Sequence, residues 1–299
     1  MNGVVVIDKE PGFTSFDVVA VVRRILHEKK IGHTGTLDPM ATGVLPVLVG
    51  SAAKAQVFLP DTDKEYIASF RLGVTTDTLD SSGKVLSQSE KAVPKEALEA
   101  VLTRFRGTIE QVVPMYSAVS QNGVRLYELA RKGLTVERPS RTVEISSLTL
   151  LSYDPDTRTG AIRVACSKGT YIRSLCDDIG AALGCGGIMT ALRRTRACGF
   201  SEEQAIPLRE VEKRAAQAPA QDLLFPTDKL FAPYPALTIS EGQAFRFQNG
   251  GALSLDRLKQ TDALAEGQLV RLYHPGGTFL GLGRVSSAEG AILFQKKFT

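Results

Sequence analysis

The order of helix and strand signals along the chain is the feature that most constrains its fold. Apolar residues recur every three or four positions, the spacing of a helix that buries one face, in three segments: 15–26, 94–105 and 170–183. Ser15 and Thr170 are the expected N-caps of the first and third helices. Strands are predicted by alternating or β-rich stretches at 64–73, 142–152 and 160–166. Because these signals do not alternate regularly, we expect an α+β fold rather than a doubly wound one.

The chain changes character between residues 216 and 237, where proline and alanine are concentrated. We interpret this stretch as a boundary between two parts of the chain. Beyond it, Ser240 and Glu241 are expected to begin a short helix. Three short strand-like segments follow at 268–274, 278–286 and 291–298. The pattern predicts a small C-terminal β-barrel.

Composition narrows the range of functions. The 299 residues carry 36 Lys and Arg against 32 Asp and Glu, a net charge of +4 that permits a polyanionic partner. No apolar run is long enough for a membrane span, and we expect a cytoplasmic protein without a membrane partner. The four cysteines and three histidines lack zinc-ligand spacing, and no glycine-rich nucleotide loop is present. Any chemistry is therefore expected to use ordinary side chains without a cofactor.

Positive charge is concentrated locally in residues 121–141. This segment contains five basic and two acidic side chains: Arg125, Arg131, Lys132, Arg138, Arg141, Glu128 and Glu137. Such a cluster is typical of a surface that contacts nucleic acid, although a solvated face has the same composition. We keep both interpretations open from charge alone.

Residues 32–46 carry the strongest chemical signal. Three glycines, two prolines and three threonines exclude a regular helix or strand there, while four apolar residues can anchor a tight loop. Asp38 lies in the middle of this loop. Local pattern allows it to be a turn residue with Pro39 or a reactive carboxylate, and it allows His33 to be a loop hydrogen bonder.

Taken whole, this stretch resembles the catalytic motif of the TruB-type tRNA pseudouridine(55) synthases. The resemblance covers about residues 1–215 and continues, in the family's order, through five further motifs: 63–66, 76–83, 114–118, 126–133 and 166–173. The tail resembles, less specifically, the small RNA-binding barrel called the PUA domain. The resemblance implies a catalytic domain at 1–229 and a PUA-like domain at 230–299.

The resemblance also implies a fold and a reaction. The fold would be a mixed, mainly antiparallel sheet with flanking helices, followed by the small barrel. The reaction would convert uridine 55 in the T loop of tRNA to pseudouridine by base flipping, glycosidic cleavage and reattachment through C5, without a cofactor or metal. The 121–141 segment would close over the T loop, and the tail would contact the acceptor arm. We expect a monomer with no obligate protein partner.

Three residues take catalytic positions in the family's motifs. Asp38 would be the catalytic carboxylate, as nucleophile or as base. Tyr66 would stack on the flipped base, although its alternation with Phe70 also fits core packing. Arg173 would pair with Asp38 and keep it ionised, although spacing alone also allows an exposed pair with Asp177.

Seven further residues are expected to bind the substrate. Asp80 would be a second carboxylate on the arginine, Tyr171 and Leu192 would form pocket walls, and His33 would contact RNA. The remaining three are basic residues expected to contact RNA: Lys168, Arg131 and Lys132.

Other functions stay open at this stage. One is a pseudouridine synthase that acts on a different RNA. Another is a non-catalytic protein that binds or folds tRNA and only grips the flipped base. A sugar hydrolase would need two catalytic carboxylates about 5–9.5 Å apart, and Asp80 is the nearby candidate.

Removal of residues 230–299 is expected to weaken tRNA binding more than it slows the chemical step, because the predicted tail contacts RNA away from Asp38. Binding and single-turnover rates measured on the truncated protein check this. Unchanged affinity together with lost turnover would contradict it.

Overall fold

The computed structural model describes residues 1–60, 62–121, 123–259 and 263–298. These residues form six α-helices: α1 Ser15–Leu26, α2 Lys95–Thr103, α3 Leu126–Arg131, α4 Ile172–Ala182, α5 Leu208–Gln217 and α6 Glu241–Gln248. The strands before residue 230 are β1 Gly3–Lys9, β2 Ile31–His33, β3 Thr42–Val49, β4 Lys64–Leu72, β5 Val74–Thr76, β6 Val85–Gln88, β7 Gly107–Val112, β8 Ser120–Gln121, β9 Val124–Arg125, β10 Ser140–Asp154, β11 Thr159–Cys166, β12 Gly187–Ala197 and β13 Phe200–Ser201. Within the described ranges, no helix is long and apolar enough to cross a membrane.

A nine-stranded sheet forms the centre of the molecule. Its strand order is β1-β3-β12-β4-β11-β10-β7, with β2 added on β3 and β13 added on β12. Neighbouring strands run antiparallel except for β3 and β12, which are parallel. The predicted α+β class with a mixed, mainly antiparallel sheet is confirmed.

The two faces of this sheet bury different partners. Val5 and Ile7 of β1 lie in the main core with residues of α1, α2 and α4, which explains the apolar stripes of those helices. Val4 and Val6 point to the opposite face and pack with Phe231 and Phe298 from the end of the chain. Both faces of β1 are therefore buried.

The tail adds five strands: β14 Ala236–Thr238, β15 Leu253–Ser254, β16 Leu269–Tyr273, β17 Phe279–Ser286 and β18 Ala291–Lys297. They form a second sheet in the order β14-β16-β17-β18-β15, which curls into a half-barrel with its own apolar core. The three longer strands match the predicted segments. The predicted division of the chain at residues 229 and 230 stays a prediction.

Aromatic packing joins the tail to the main sheet. Phe231 is fully buried, and its ring lies 5.3 Å from the ring of Phe298 and 6.0 Å from that of Phe279, measured between centroids. Ser51 donates a hydrogen bond of 2.6 Å to the backbone carbonyl of Phe298. A truncation at residue 230 therefore also uncovers this face of the sheet.

Two expected helix caps are wrong by one residue. Thr14, not Ser15, caps α1, and its hydroxyl accepts a hydrogen bond of 3.0 Å from the amide of Asp17. Tyr171, not Thr170, is the N-cap of α4, and the Thr170 hydroxyl donates instead to the carbonyl of Ser167. Ser15 instead accepts from the amide of Leu37, and the Tyr171 amide donates to Gln111, and local sequence reveals neither contact.

Replacement of Phe231 by alanine is expected to lower the free energy of unfolding by about 3–5 kcal/mol, because it opens a cavity between the two sheets. Urea denaturation of Phe231→Ala measures this. Phe245, 72% exposed on α6, supplies the control: Phe245→Ala should change stability by less than about 0.5 kcal/mol. Equal losses in the two variants would contradict the packing account.

Candidate active site

Asp38 is carried by residues 34–41, the loop between β2 and β3. The hydroxyl of Ser15, at the start of α1, accepts a hydrogen bond of 2.8 Å from the amide of Leu37. The amide of Gly12 donates to the carbonyl of Pro39 at 2.9 Å. Leu37 is also buried in the main core. The loop is therefore fixed on both sides of the Asp38 carboxylate.

Lys9 also fixes this loop, and the sequence patterns did not identify it. Its ammonium group donates hydrogen bonds to the carbonyls of Pro39 at 3.1 Å and Ala41 at 2.6 Å, and the side chain is fully buried. Burial lowers the pKa of Lys9 to about 8, and the nearby Asp38 carboxylate opposes that shift. Strand alternation could have identified it, because Lys9 and Val5 lie four residues apart on β1 and therefore point to the same buried face.

Arg173, at the first turn of α4, lies at the centre of the site. Its Nε atom is 3.0 Å from one oxygen of Asp38, and its Nη2 atom donates to the other at 3.3 Å. Nη1 lies 3.8 Å from Asp80 and donates to the carbonyl of Thr78 at 3.1 Å, while Nη2 also donates to the carbonyl of Tyr116 at 2.9 Å. Such a forked contact fixes both the position and the orientation of the carboxylate.

The alternative pairing of Arg173 with Asp177 is not the one that the structure favours. Arg173 is buried and turned toward Asp38. Asp177 is influenced instead by Arg138, from the chain segment before β10, which lowers a pKa that burial raises.

The charge state of Asp38 follows from opposing influences. Burial raises the pKa of Asp38, Arg173 lowers it, and the Asp80 carboxylate raises it. The side chain nevertheless remains 35% exposed, compared with 7% for Asp80. Asp38 is thus the carboxylate of this pair that a bound molecule can reach.

Asp80 is held in place by its own loop. One of its oxygens accepts hydrogen bonds from the Thr78 hydroxyl at 2.7 Å and from the Ser82 amide at 3.0 Å. The other oxygen faces Arg173. This arrangement lets Asp80 orient the guanidinium rather than act on a substrate.

Tyr66 and Leu192 lie in the main core beside the loop. Both side chains are buried, and Tyr66 lies on the buried face of β4, where burial alternates along the strand as expected. Burial raises the pKa of the Tyr66 phenol, and the neighbouring Arg194 on β12 opposes that shift.

His33, at the end of β2, accepts a hydrogen bond of 3.2 Å from the amide of Gly35, and burial lowers the pKa of its ring. A neutral imidazole is favoured at neutral pH.

Tyr171 precedes α4 and is held through its backbone. Gln111 of β7 is fully buried, accepts from the Tyr171 amide at 2.8 Å and donates to the Tyr171 carbonyl at 3.0 Å. The guanidinium of Arg141 lies over the Tyr171 ring at 5.4 Å. Sequence reasoning missed Gln111, a polar residue buried in an edge strand.

The three basic residues expected to contact RNA lie on the surface. Arg131 and Lys132 are exposed at the end of α3, and Lys168 is exposed in the turn after β11. The 121–141 segment contains β9 and α3 before it enters β10, and residue 122 lies outside the described residues. These three side chains are exposed, whereas Arg173 and Asp80 are buried and Asp38 is partly exposed.

A loop carboxylate held by a buried arginine, beside a tyrosine on a mixed sheet, is the arrangement expected of a pseudouridine synthase. The solved structure described as a Cbf5-Nop10-Gar1 complex has a chain with TM-score 0.76 and 29% identity to this one, covering 99% of this chain and 85% of that chain. The fold of this chain therefore matches the Cbf5/TruB pseudouridine synthase fold.

The chain belongs to the TruB family of pseudouridylate synthases. Three family descriptions match in order: the TruB N-terminal domain at 23–172, the tRNA pseudouridylate synthase B C-terminal domain at 173–232 and the pseudouridine synthase II TruB C-terminal region at 235–291. The tRNA pseudouridine synthase B of Saccharophagus degradans is 43% identical over 98% of this chain and 94% of its own. That of Pseudomonas fluorescens is 44% identical over 96% and 92%.

Asp80→Asn is expected to move the acidic limb of the pH–rate profile to lower pH. The predicted role of Asp38 as nucleophile or base needs its ionised form, and removal of a negative charge that raises the pKa of Asp38 lets it ionise at lower pH. Single-turnover rates of pseudouridine formation against pH measure this. Asp77→Asn, at an exposed neighbour in the same loop, should leave the limb unchanged. A limb that moves to higher pH in Asp80→Asn would refute the assignment.

Proposed function

We propose that the protein isomerises uridine 55 in the T loop of tRNA to pseudouridine, with Asp38 as the catalytic carboxylate. The observation that carries this proposal is the partly exposed Asp38 carboxylate held at both oxygens by Arg173. Relatives named tRNA pseudouridine synthase B, similar over nearly their full length, support tRNA as the substrate.

The reaction balances without a co-reactant. The bond between C1′ of the ribose and N1 of uracil breaks, the base turns, and a bond forms between C1′ and C5. The proton on C5 is lost, and N1 gains one. Asp38 acts either as a nucleophile toward the sugar or base or as the base that removes a ribose proton, and both roles need its ionised form. We propose that no cofactor or metal takes part.

The target base must leave its stack to reach Asp38. Flipping costs a few kcal/mol, which contacts in the pocket offset. We propose that Tyr66 stacks on the flipped uracil and that Leu192 and Tyr171 form the walls around it. A neutral His33 would contact the RNA beside the pocket, and Asp80 would hold Arg173 in place.

The exposed basic side chains are proposed to bind the tRNA by shape and phosphate contacts. Arg131, Lys132 and Lys168 are exposed cations suited to phosphate, and the 121–141 segment would close over the T loop. The half-barrel within 230–299 would act as a PUA-like domain on the acceptor arm, and 1–229 would be the catalytic domain. We further propose a cytoplasmic monomer with no obligate protein partner.

Asp38→Asn is expected to abolish pseudouridine formation while tRNA affinity stays within a few-fold, because the amide keeps the shape of the carboxylate but cannot act as nucleophile or base. The assay is incubation with an unmodified tRNA transcript, followed by chemical mapping of pseudouridine. The pseudouridine is expected at position 55.

The same assay decides between the remaining functions. Retained activity in Asp38→Asn would overturn the catalytic role of this residue. Modification of another RNA but not of tRNA would indicate a different substrate, and tRNA binding without modification by the unaltered protein would indicate a folding or binding protein.

A further inference from the structure

Arg194 is a charged residue in the middle of the main sheet. It lies on β12 between β3 and β4, in register with Gly43 on one side and Tyr66 on the other. Its side chain is the largest of the fully buried side chains among the described residues. The sequence patterns do not single it out.

The guanidinium of Arg194 connects the start of the Asp38 loop to β3. Its Nε atom donates a hydrogen bond of 2.6 Å to the carbonyl of Val44, and its Nη2 atom donates one of 3.1 Å to the carbonyl of Gly35. Gly35 precedes Asp38 by three residues, and Val44 follows it by six. A single planar group therefore ties the first part of the loop to the strand that follows it.

The third nitrogen is the unusual one. Nη1 of Arg194 is buried and makes no hydrogen bond of ordinary geometry to the described residues, although the Tyr66 hydroxyl interacts with this guanidinium. A Cβ added to Gly35 would lie 3.7 Å from this atom, so Nη1 lies directly behind the loop. Burying a cation with one donor unpaired is unfavourable for stability, and an apolar side chain of similar volume would avoid that cost. The charge itself therefore calls for an explanation.

We propose that Arg194 is a positioning residue for the reaction, which fixes the Asp38 loop and places a positive charge behind the uracil pocket. The inference rests on the proposed function. When the bond between C1′ and N1 breaks, its electron pair moves toward uracil, and a preorganised cation nearby stabilises that charge. The charge of Arg194 acts on both neighbours of the pocket: burial raises the pKa of Tyr66 and Arg194 opposes that shift, whereas burial and Arg194 both lower the pKa of His33.

Arg193 provides a matched control. It is the preceding residue of the same strand, and its side chain is 39% exposed. It forms ion pairs with Asp8 and Glu202, whereas the carbonyls of Gly35 and Val44 accept hydrogen bonds from Arg194. Its replacement removes a cation and two ion pairs from β12 without touching the group behind the pocket.

The test compares Arg194→Met, Arg194→Lys and Arg193→Met in the full-length protein. Single-turnover rates and tRNA affinity are measured together with thermal stability and with hydrogen exchange of peptide 33–46. We expect a rate loss of about 100-fold or more in Arg194→Met and about tenfold in Arg194→Lys, since lysine keeps the charge but not the fork. Affinity for tRNA should stay within about threefold, and exchange in 33–46 should increase.

Three results would overturn the proposal. The first is a folded Arg194→Met protein with a rate within twofold of the unaltered protein. The second is an equal loss of rate and equal exchange in Arg193→Met, which would indicate general damage to the sheet. The third is weaker tRNA binding with an unchanged rate. If Arg194→Met fails to fold, Arg194→Lys decides by the same criteria. Hydrogen exchange needs no substrate, so it tests the positioning role even if the unaltered protein modifies no tRNA.

Discussion

The contact between Arg173 and Asp38 is the interaction on which the site depends. A buried guanidinium needs a partner for each of its donors, and this one finds two carboxylates and two backbone carbonyls. Those partners come from the Asp38 loop, from residues 78–80 and from Tyr116, which lies between β7 and β8. One side chain on α4 thereby joins three segments that lie far apart in the chain.

The sheet explains how the remaining charges are placed. The parallel pairing of β3 and β12 brings Arg194 against the end of the Asp38 loop, and β1 brings Lys9 beneath it. The loop carbonyls thus point toward buried cations, while the Asp38 carboxylate points toward Arg173. The site is a preorganised arrangement of fixed charges around one reachable carboxylate.

Local sequence predicted some regular elements and missed others. It did not predict β12 or α5, and the composition of residues 32–46 wrongly excluded a strand where β3 begins. The spacing of Val18, Val22 and Leu26 predicted the buried face of α1, and alternation around Tyr66 predicted β4, because these periods report burial directly. Strands of two or three residues such as β14 and β15 have no period to detect. The cap of α1 was misplaced because Thr14 and Ser15 are both suitable cap residues. Asp17 completes a capping box with Thr14, while Ser15 bonds Leu37.

The site was predictable only in part. Asp38 and Arg173 are 135 residues apart, so their pairing came from the family resemblance and not from any local pattern. Lys9, Gln111 and Arg194 were missed because polar residues are expected at the surface, and their burial depends on strand order. Only a known sheet topology identifies such residues in advance.

The most direct test of this account is an NMR titration of the Asp38 carboxyl carbon in the full-length protein, assigned with Asp38→Asn. We expect a carboxylate that is ionised at neutral pH, with a pKa above the ordinary aspartate value of about 3.9. In Arg173→Met the pKa of Asp38 should be higher still, because Arg173 lowers it. A carboxyl that is protonated at neutral pH, or a pKa that does not change when Arg173 is replaced, would contradict it.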